Sequence, residues 1–219
     1  MTCIIDHKHK FVFIHIPRTG GSSFSEYIRN YCTARKNLGK EHGEFIEFSH
    51  APLWQAQRTY FRNRDDWDKY FKFAIVRNPY DRLVSLFCHL VGRGNTRWGG
   101  EFKNMMMELD IDSTWAEYQR FRYGQAVFWP AKMYLCHYDT PMYDDTIEFT
   151  NVQSATVDFA SRFGLKIPLI DYDSKPDRYP HVNRSDRKPY QDYYDSFSKS
   201  VIEKRFGWEL ERFGYKFDA

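Results

Sequence analysis

The sequence predicts an α/β protein with a mainly parallel central sheet flanked by helices. Two observations carry that class. Short apolar runs rich in β-branched and aromatic residues alternate with stretches of helical periodicity, the pattern of successive strand–helix units. The joins between them are marked by glycine, proline and hydroxyl residues, which punctuate elements rather than extend them. With 219 residues, 42 % of them apolar, the chain can build one sizeable core, so a single domain over residues 1–219 is expected.

The elements follow in order. Phe11 to Ile16 is a buried strand bounded by Pro17 and Gly20. From Ser22 to Tyr31 the apolar residues Phe24, Tyr27, Ile28 and Tyr31 fall on one helical face. Phe45 to Phe48 is a second strand, closed by Ser49-His50, and Pro52 suits the first turn of a helix through Tyr60. Lys72 to Val76 is a third strand, followed by a helix from Pro79 with Leu83, Leu86, Phe87 and Leu90 on one face. Residues 92–112 read as a long loop, and Ser113 caps a helix to about Tyr123. Thr146 to Phe149 is a fourth strand, and Val152 to Phe163 a helix ended by Gly164. Residues 168–190, with four prolines and many charges, read as a surface loop, and helical periodicity returns from Tyr193 to Phe213.

Composition excludes several functions. A net charge of +3 is too small for a general nucleic-acid binder, so no nucleic-acid partner is expected. Cys3, Cys32, Cys88 and Cys136 are scattered without ligand spacing, which argues against a metal site and for free thiols in a reducing, cytoplasmic setting. Two long-range disulfides remain the alternative. No run approaches the 18 or so apolar residues of a membrane span, and the first ten residues are too polar for a signal peptide; His7 and His9 sit in a polar start expected to fray. Aromatics at 19 % suit either a packed aromatic core or an aromatic-lined cleft.

The chemistry is concentrated in "FVFIHIPRTGGSS", residues 11–23. A strand feeding a glycine turn and then a helix makes an anion site, because the first N–H groups of the helix lack internal partners and carry the positive end of its dipole. Gly20 and Gly21 let the backbone approach a phosphate. Thr19, Ser22 and Ser23 add hydroxyls, and Arg18 adds a permanent charge. A side chain placed on Gly21 is expected to block that approach while leaving the fold intact. The alternative is an ordinary strand–helix turn capped by Ser22 or Ser23. Neither GxxxxGK[ST] nor GxGxxG occurs. A second strand–turn–helix, "IVRNPYDRLVSLF", puts Arg77 at a strand's carboxyl end and Ser85 about two turns into the next helix. An ion pair with Asp81 is the alternative use of Arg77, and Arg82 reads as a structural or surface cation.

"HIPRTGGSSF" together with "VRNPYDRLVS" resembles the sulfotransferases that use 3′-phosphoadenosine 5′-phosphosulfate (PAPS), of the carbohydrate type; the heparan sulfate 2-O- and 6-O-sulfotransferases and their bacterial relatives look nearest. The C-terminal "PHVNRSDRKPYQDYYDSF" and "VIEKRFGWELERFGY" are also similar to these enzymes. The resemblance implies a P-loop-kinase-like sandwich, PAPS as donor with 3′,5′-adenosine bisphosphate as product, no metal, and a glycan or other hydroxyl-bearing acceptor. It implies that the first motif holds the 5′-phosphosulfate, that Arg77 and Ser85 hold the 3′-phosphate, and that Arg184 and Ser185 close over the nucleotide. The family usually has lysine where this chain has Arg18, and arginine cannot give up a proton there, so its expected role is electrostatic stabilisation of the leaving phosphate.

Sulfuryl transfer resembles phosphoryl transfer, with an in-line, loose transition state and a base for the acceptor hydroxyl. Of eight histidines, His50 is best placed, at the end of a strand and ahead of a helix, and "FSHAPLW" resembles the family's strand-end base. A helix-start cap is its alternative role; Glu44, Glu47 and His137 are the other bases considered, and His15 reads as a satisfied core residue. The competing functions are a nucleotide kinase and a non-catalytic nucleotide-binding module on a degenerate P-loop fold.

Overall fold

Five short strands, β1 (Cys3–Asp6), β2 (Phe11–Ile14), β3 (Phe45–Phe48), β4 (Phe71–Val76) and β5 (Asp145–Glu148), form the main sheet in the order β3-β1-β2-β4-β5. The computed structural model describes residues 3–29, 45–48, 50–111, 126–165 and 187–218. β2 pairs in parallel with β4, and β4 with β5, while β1 runs antiparallel to both β2 and β3. Four strands therefore point the same way and β1 alone runs against them. The mixed α/β class with a mostly parallel sheet is as the alternation implied.

β1 was not expected, and the start of the chain is not frayed. "CIID" is buried along its whole length. The turn after it is tied by the His9 N–H donating to Asp6 Oδ1 at 2.8 Å, and His7 Nδ1 hydrogen-bonds the Tyr70 hydroxyl at 2.5 Å. Four residues are too few for a period to register, so the polar turn dominated the reading of this stretch.

The described residues form two compact units, residues 1–76 with 133–182 and residues 77–132 with 183–219. The first holds the sheet. Phe11, Phe13 and Phe73 project from β2 and β4 against Phe24 and Ile28 of helix α1 (Gly21–Arg29) and Phe159 of a later helix (Val152–Arg162). Phe13 lies 4.6 Å from Phe24, and Phe73 lies 4.6 Å from Phe159, between ring centroids. Many of the aromatics thus serve as core, where tilted and edge contacts add to area burial. Helices α2 (Leu53–Tyr60) and α3 (Arg64–Asp68) precede β4. Pro52 is the N-cap of α2 rather than its first residue.

The second unit is helical. In α4 (Pro79–Val91), Asn78 is the N-cap and its side chain accepts from the Tyr80 N–H. Residues 92–112 are not one loop: Phe102–Ile111 is helix α5, with Phe102, Met105, Met106 and Leu109 buried. Those residues sit at i, i+3, i+4 and i+7, and the four glycines between residues 92 and 100 drew attention away from them. α4 and α5 pack on the helix Ser196–Phe213 through Leu83, Phe87, Val201 and Phe206. That last helix is kinked at Phe206, immediately before Gly207. The helix expected from Ser113 lies outside the described residues.

Among the described residues Cys3, Cys88 and Cys136 are free thiols, no helix is long and apolar enough to cross a membrane, and no group of three His, Cys, Asp or Glu side chains converges as a metal site.

Candidate functional site

β2, β3 and β4 run in one direction, so their carboxyl ends share one edge of the sheet. The turn after β2 is built from opposing backbone hands. Arg18 has φ of +67° and Gly20 of +86°, with Thr19 between them in the ordinary range. Positive φ on either side of Thr19 reverses the backbone twice within three residues. For arginine such a φ carries strain, and strained backbone of this kind gathers at functional sites. The Thr19 hydroxyl donates to the Ile16 carbonyl at 2.8 Å and closes the turn. Helix α1 begins at Gly21, and the Gly20 carbonyl accepts from the Ser23 N–H at 3.0 Å. Ser23 is buried and Ser22 half-buried.

The two glycines have different neighbours. A Cβ on Gly20 would lie 2.9 Å from the Phe149 ring, and its positive φ disfavours any side chain. A Cβ on Gly21 would lie 2.4 Å from His15 Cδ2. A side chain at residue 21 would therefore displace His15, which corrects the expectation that the fold would be untouched.

His15 lies just beyond β2 and is 1 % exposed. Its N–H donates to Cys3 Sγ at 3.2 Å, but its ring Nδ1 has no hydrogen-bond partner among the described residues. It is a core residue, though not a satisfied one. Burial holds its pKa well below the usual 6.5, and His50 and Arg18 push the same way, so the ring is neutral at pH 7.

His50 follows β3, and its ring meets that of His15 edge-on with centroids 4.7 Å apart. His50 Nδ1 lies 2.7 Å from the His15 carbonyl oxygen. A carbonyl only accepts, so Nδ1 carries the proton and Nε2 carries the lone pair. That Nε2 is shut off from solvent and has no partner among the described residues. Burial lowers the pKa of His50, and the bond to the His15 carbonyl opposes the shift without cancelling it. The helix-start cap considered for His50 is not formed: no side chain caps α2. The Glu44 and Glu47 side chains lie outside the described residues, and His137 is exposed.

In the second unit Arg77, the residue after β4, is 9 % exposed. Its Nε donates to Asp81 Oδ2 at 2.6 Å, and Arg187 Nη2 donates to the other oxygen, Asp81 Oδ1. The ion pair weighed for Arg77 is present, and two guanidinium groups share one carboxylate. Burial lowers the Arg77 pKa, with Asp81 opposing and Arg187 adding to the fall. Ser85 is buried, one helical turn beyond Asp81. Arg82 is a buried structural cation whose Nη2 donates to the Trp129 carbonyl at 3.0 Å.

Arg184 and Ser185 lie outside the described residues. Arg187 lies just beyond the "HVNRS" stretch, and its signal in the sequence is the second arginine of "NRSDRKPY".

A model described as the sulfotransferase family matches residues 1–216. The chain belongs to the sulfotransferase family. The match runs through both units, and the kinase and adaptor readings give way to an enzyme that transfers sulfuryl groups. No curated protein and no solved structure matches the chain.

Proposed function

We propose that this sulfotransferase moves a sulfuryl group from PAPS to a hydroxyl of a glycan or similar polar acceptor, as a single domain over residues 1–219 with a P-loop-kinase-like sheet. Its motifs are most like those of the carbohydrate group that includes the heparan sulfate 2-O- and 6-O-sulfotransferases. PAPS supplies an activated sulfuryl group on a phosphate leaving group. The turn Arg18, Thr19, Gly20, Gly21, Ser22 and Ser23 binds the 5′-phosphosulfate through its N–H groups and hydroxyls, and Arg18 stabilises the charge that grows on the leaving phosphate. Arg77 and Ser85 bind the 3′-phosphate, with Arg187 assisting: two arginines against one aspartate leave a net positive charge for it. Arg184 and Ser185 complete the nucleotide site.

His50 is the base. The new bond joins the acceptor oxygen to sulfur, the bond from sulfur to the phosphate oxygen breaks, and the hydroxyl proton passes to His50 Nε2. The observation that carries this reading is the Nε2 without a partner among the described residues, fixed in tautomer by the carbonyl of His15, whose ring abuts Gly21. A buried acceptor without a donor costs about 1–3 kcal/mol. An acceptor hydroxyl reaching Nε2 would relieve that cost, and the wall over Nε2 must open to admit it.

The test is transfer of radiolabelled sulfate from PAPS to a panel of glycans, with thermal shift by 3′,5′-adenosine bisphosphate against ATP with magnesium. Stabilisation by the bisphosphate and label in a glycan are expected. Stabilisation by ATP alone, or label in none of the acceptors, would overturn the reading.

A further inference from the structure

A sugar ring can stack on an exposed tryptophan face, and Trp54, Trp98, Trp115 and Trp129 are four of the six tryptophans. The structure separates them. Trp98 is buried, with its indole N–H donating to Glu108 Oε2 at 3.0 Å; Trp129 is half-buried; Trp115 lies outside the described residues. Trp54 is exposed, in the first turn of α2 and four residues after His50. Four residues span at most about 14 Å of chain, so a group resting on Trp54 is within a few sugar rings of the base.

Trp54 is not isolated. The His137 ring stacks on it, with centroids 6.0 Å apart and planes 28° from parallel. Tyr138 follows at 4.7 Å from His137, and it is 81 % exposed. These two residues belong to a tight hairpin, strands Cys136–His137 and Thr140–Pro141. Tyr138 sits in its turn with φ of +53°, a place where glycine or asparagine is the ordinary choice. A bulky ring held in strained backbone and left largely exposed gains little from burial; strain kept at an exposed site points to a function.

Next to the hairpin is a cavity of about 450 Å³, lined by Gln57, His137, Tyr138 and four charged residues. That is an ordinary volume for a small-ligand site. The charges cancel in pairs. Lys72 Nζ lies 3.0 Å from Asp144 Oδ2, and Arg64 Nε lies 3.6 Å from Asp68 Oδ2. A polyanionic chain would need a net positive charge, as two arginines against Asp81 leave, and these two pairs leave none. A neutral ring needs aromatic faces for its C–H groups and paired polar groups that can share hydrogen bonds with its hydroxyls.

We propose that Trp54, His137, Tyr138 and the adjoining cavity are an acceptor subsite for a neutral sugar residue, one that carries no carboxylate or sulfate. The inference rests on the sulfotransferase reading with His50 as base, and it narrows the acceptor to neutral glycans.

The test titrates the full chain, saturated with 3′,5′-adenosine bisphosphate, with two oligosaccharide panels matched in length. One contains neutral gluco-, galacto-, manno- and N-acetylglucosamine oligomers and the other uronate-containing oligomers. At least one neutral oligomer is expected to bind. Trp54→Ala and Tyr138→Gly should each weaken that binding by about tenfold, the scale of one lost aromatic anchor. Tyr138→Gly relieves the backbone strain, so its thermal midpoint should hold or rise, which separates loss of a contact from loss of the fold. The thermal shift given by 3′,5′-adenosine bisphosphate should be unchanged in both variants. Binding by uronate oligomers only, by none of the oligomers, or equally by wild type and both variants would overturn the subsite. Loss of the bisphosphate shift in the wild type would instead overturn the donor assignment, whatever the sugars do.

Discussion

The glycine turn with His50 and the arginine group of the helical unit treat charge in opposite ways. Around His50 two imidazoles are neutral, and each keeps a buried nitrogen without a partner among the described residues. Around Arg77 the charges are permanent and engaged in advance, two guanidinium groups on one carboxylate. A proton taken and returned in every turnover needs an uncharged group with an open lone pair. A phosphate held through the whole reaction needs fixed cations, and Asp81 keeps them in place. Under the proposed function, the difference separates a group that takes and returns a proton from cations that hold a phosphate throughout.

If that contrast is right, the largest effect belongs to His50→Ala. Turnover should fall by roughly 10²–10⁴, the usual contribution of a positioned base, while affinity for 3′,5′-adenosine bisphosphate stays at the wild-type value. Near-normal turnover would break the contrast by moving the base elsewhere. Arg77→Ala should do the reverse. Bisphosphate binding, measured by calorimetry, should weaken by about 1.5–3 kcal/mol, and turnover at saturating PAPS should change little. A matching loss for adenosine 5′-phosphosulfate, which lacks the 3′-phosphate, would show that Arg77 supports structure rather than that phosphate.

Gly21→Ala sharpens the comparison within the first region. The new Cβ would drive into the His15 ring, and overpacking of this kind costs about 1–3 kcal/mol in urea unfolding. Because His15 holds His50 through its carbonyl, turnover should fall as well; a stable, fully active variant would uncouple the two histidines. The smallest effect is in the pH profile. His50 is lowered from 6.5, so at pH 6.5 more than half of it is still neutral, and kcat/KM there should be less than twofold below its value at pH 8. An acid limb centred above 6.5 would exclude His50. Folding stability should move the same way: the contribution of the two depressed histidines is present above pH 6.5 and is lost as pH falls through their folded values.

Long-period signals were legible in the sequence. β2, β3, β4 and the helices after them could be read because each has several apolar residues in register and a proline or glycine at its border. The glycine turn between β2 and α1 was legible from residue types alone. β1 was too short to show a period, and α5 was hidden behind glycines. The least legible facts were relational. Nothing in "FVFIHIP" says that the His15 carbonyl will set the tautomer of a histidine 35 positions away, or that His15 and not a ligand fills the space beside Gly21. Arg187 illustrates the same limit, since its partner Asp81 stands 106 positions earlier.

The antiparallel intruder β1 carries a consequence of its own. It is the spacer of the sheet: β3 and β2 are both bonded to it and not to each other, and strands two places apart stand roughly 10 Å from one another. His50 bridges to His15 beside the first residue of that spacer, Cys3, whose sulfur anchors the His15 N–H. Shaving six residues from the amino terminus would delete neither signature motif, and an inventory of functional residues would find every one present. The edge would nonetheless lose its gauge block, and His50 would drift from the glycine turn that follows β2. Four buried residues that belong to neither motif set the calibration of the instrument.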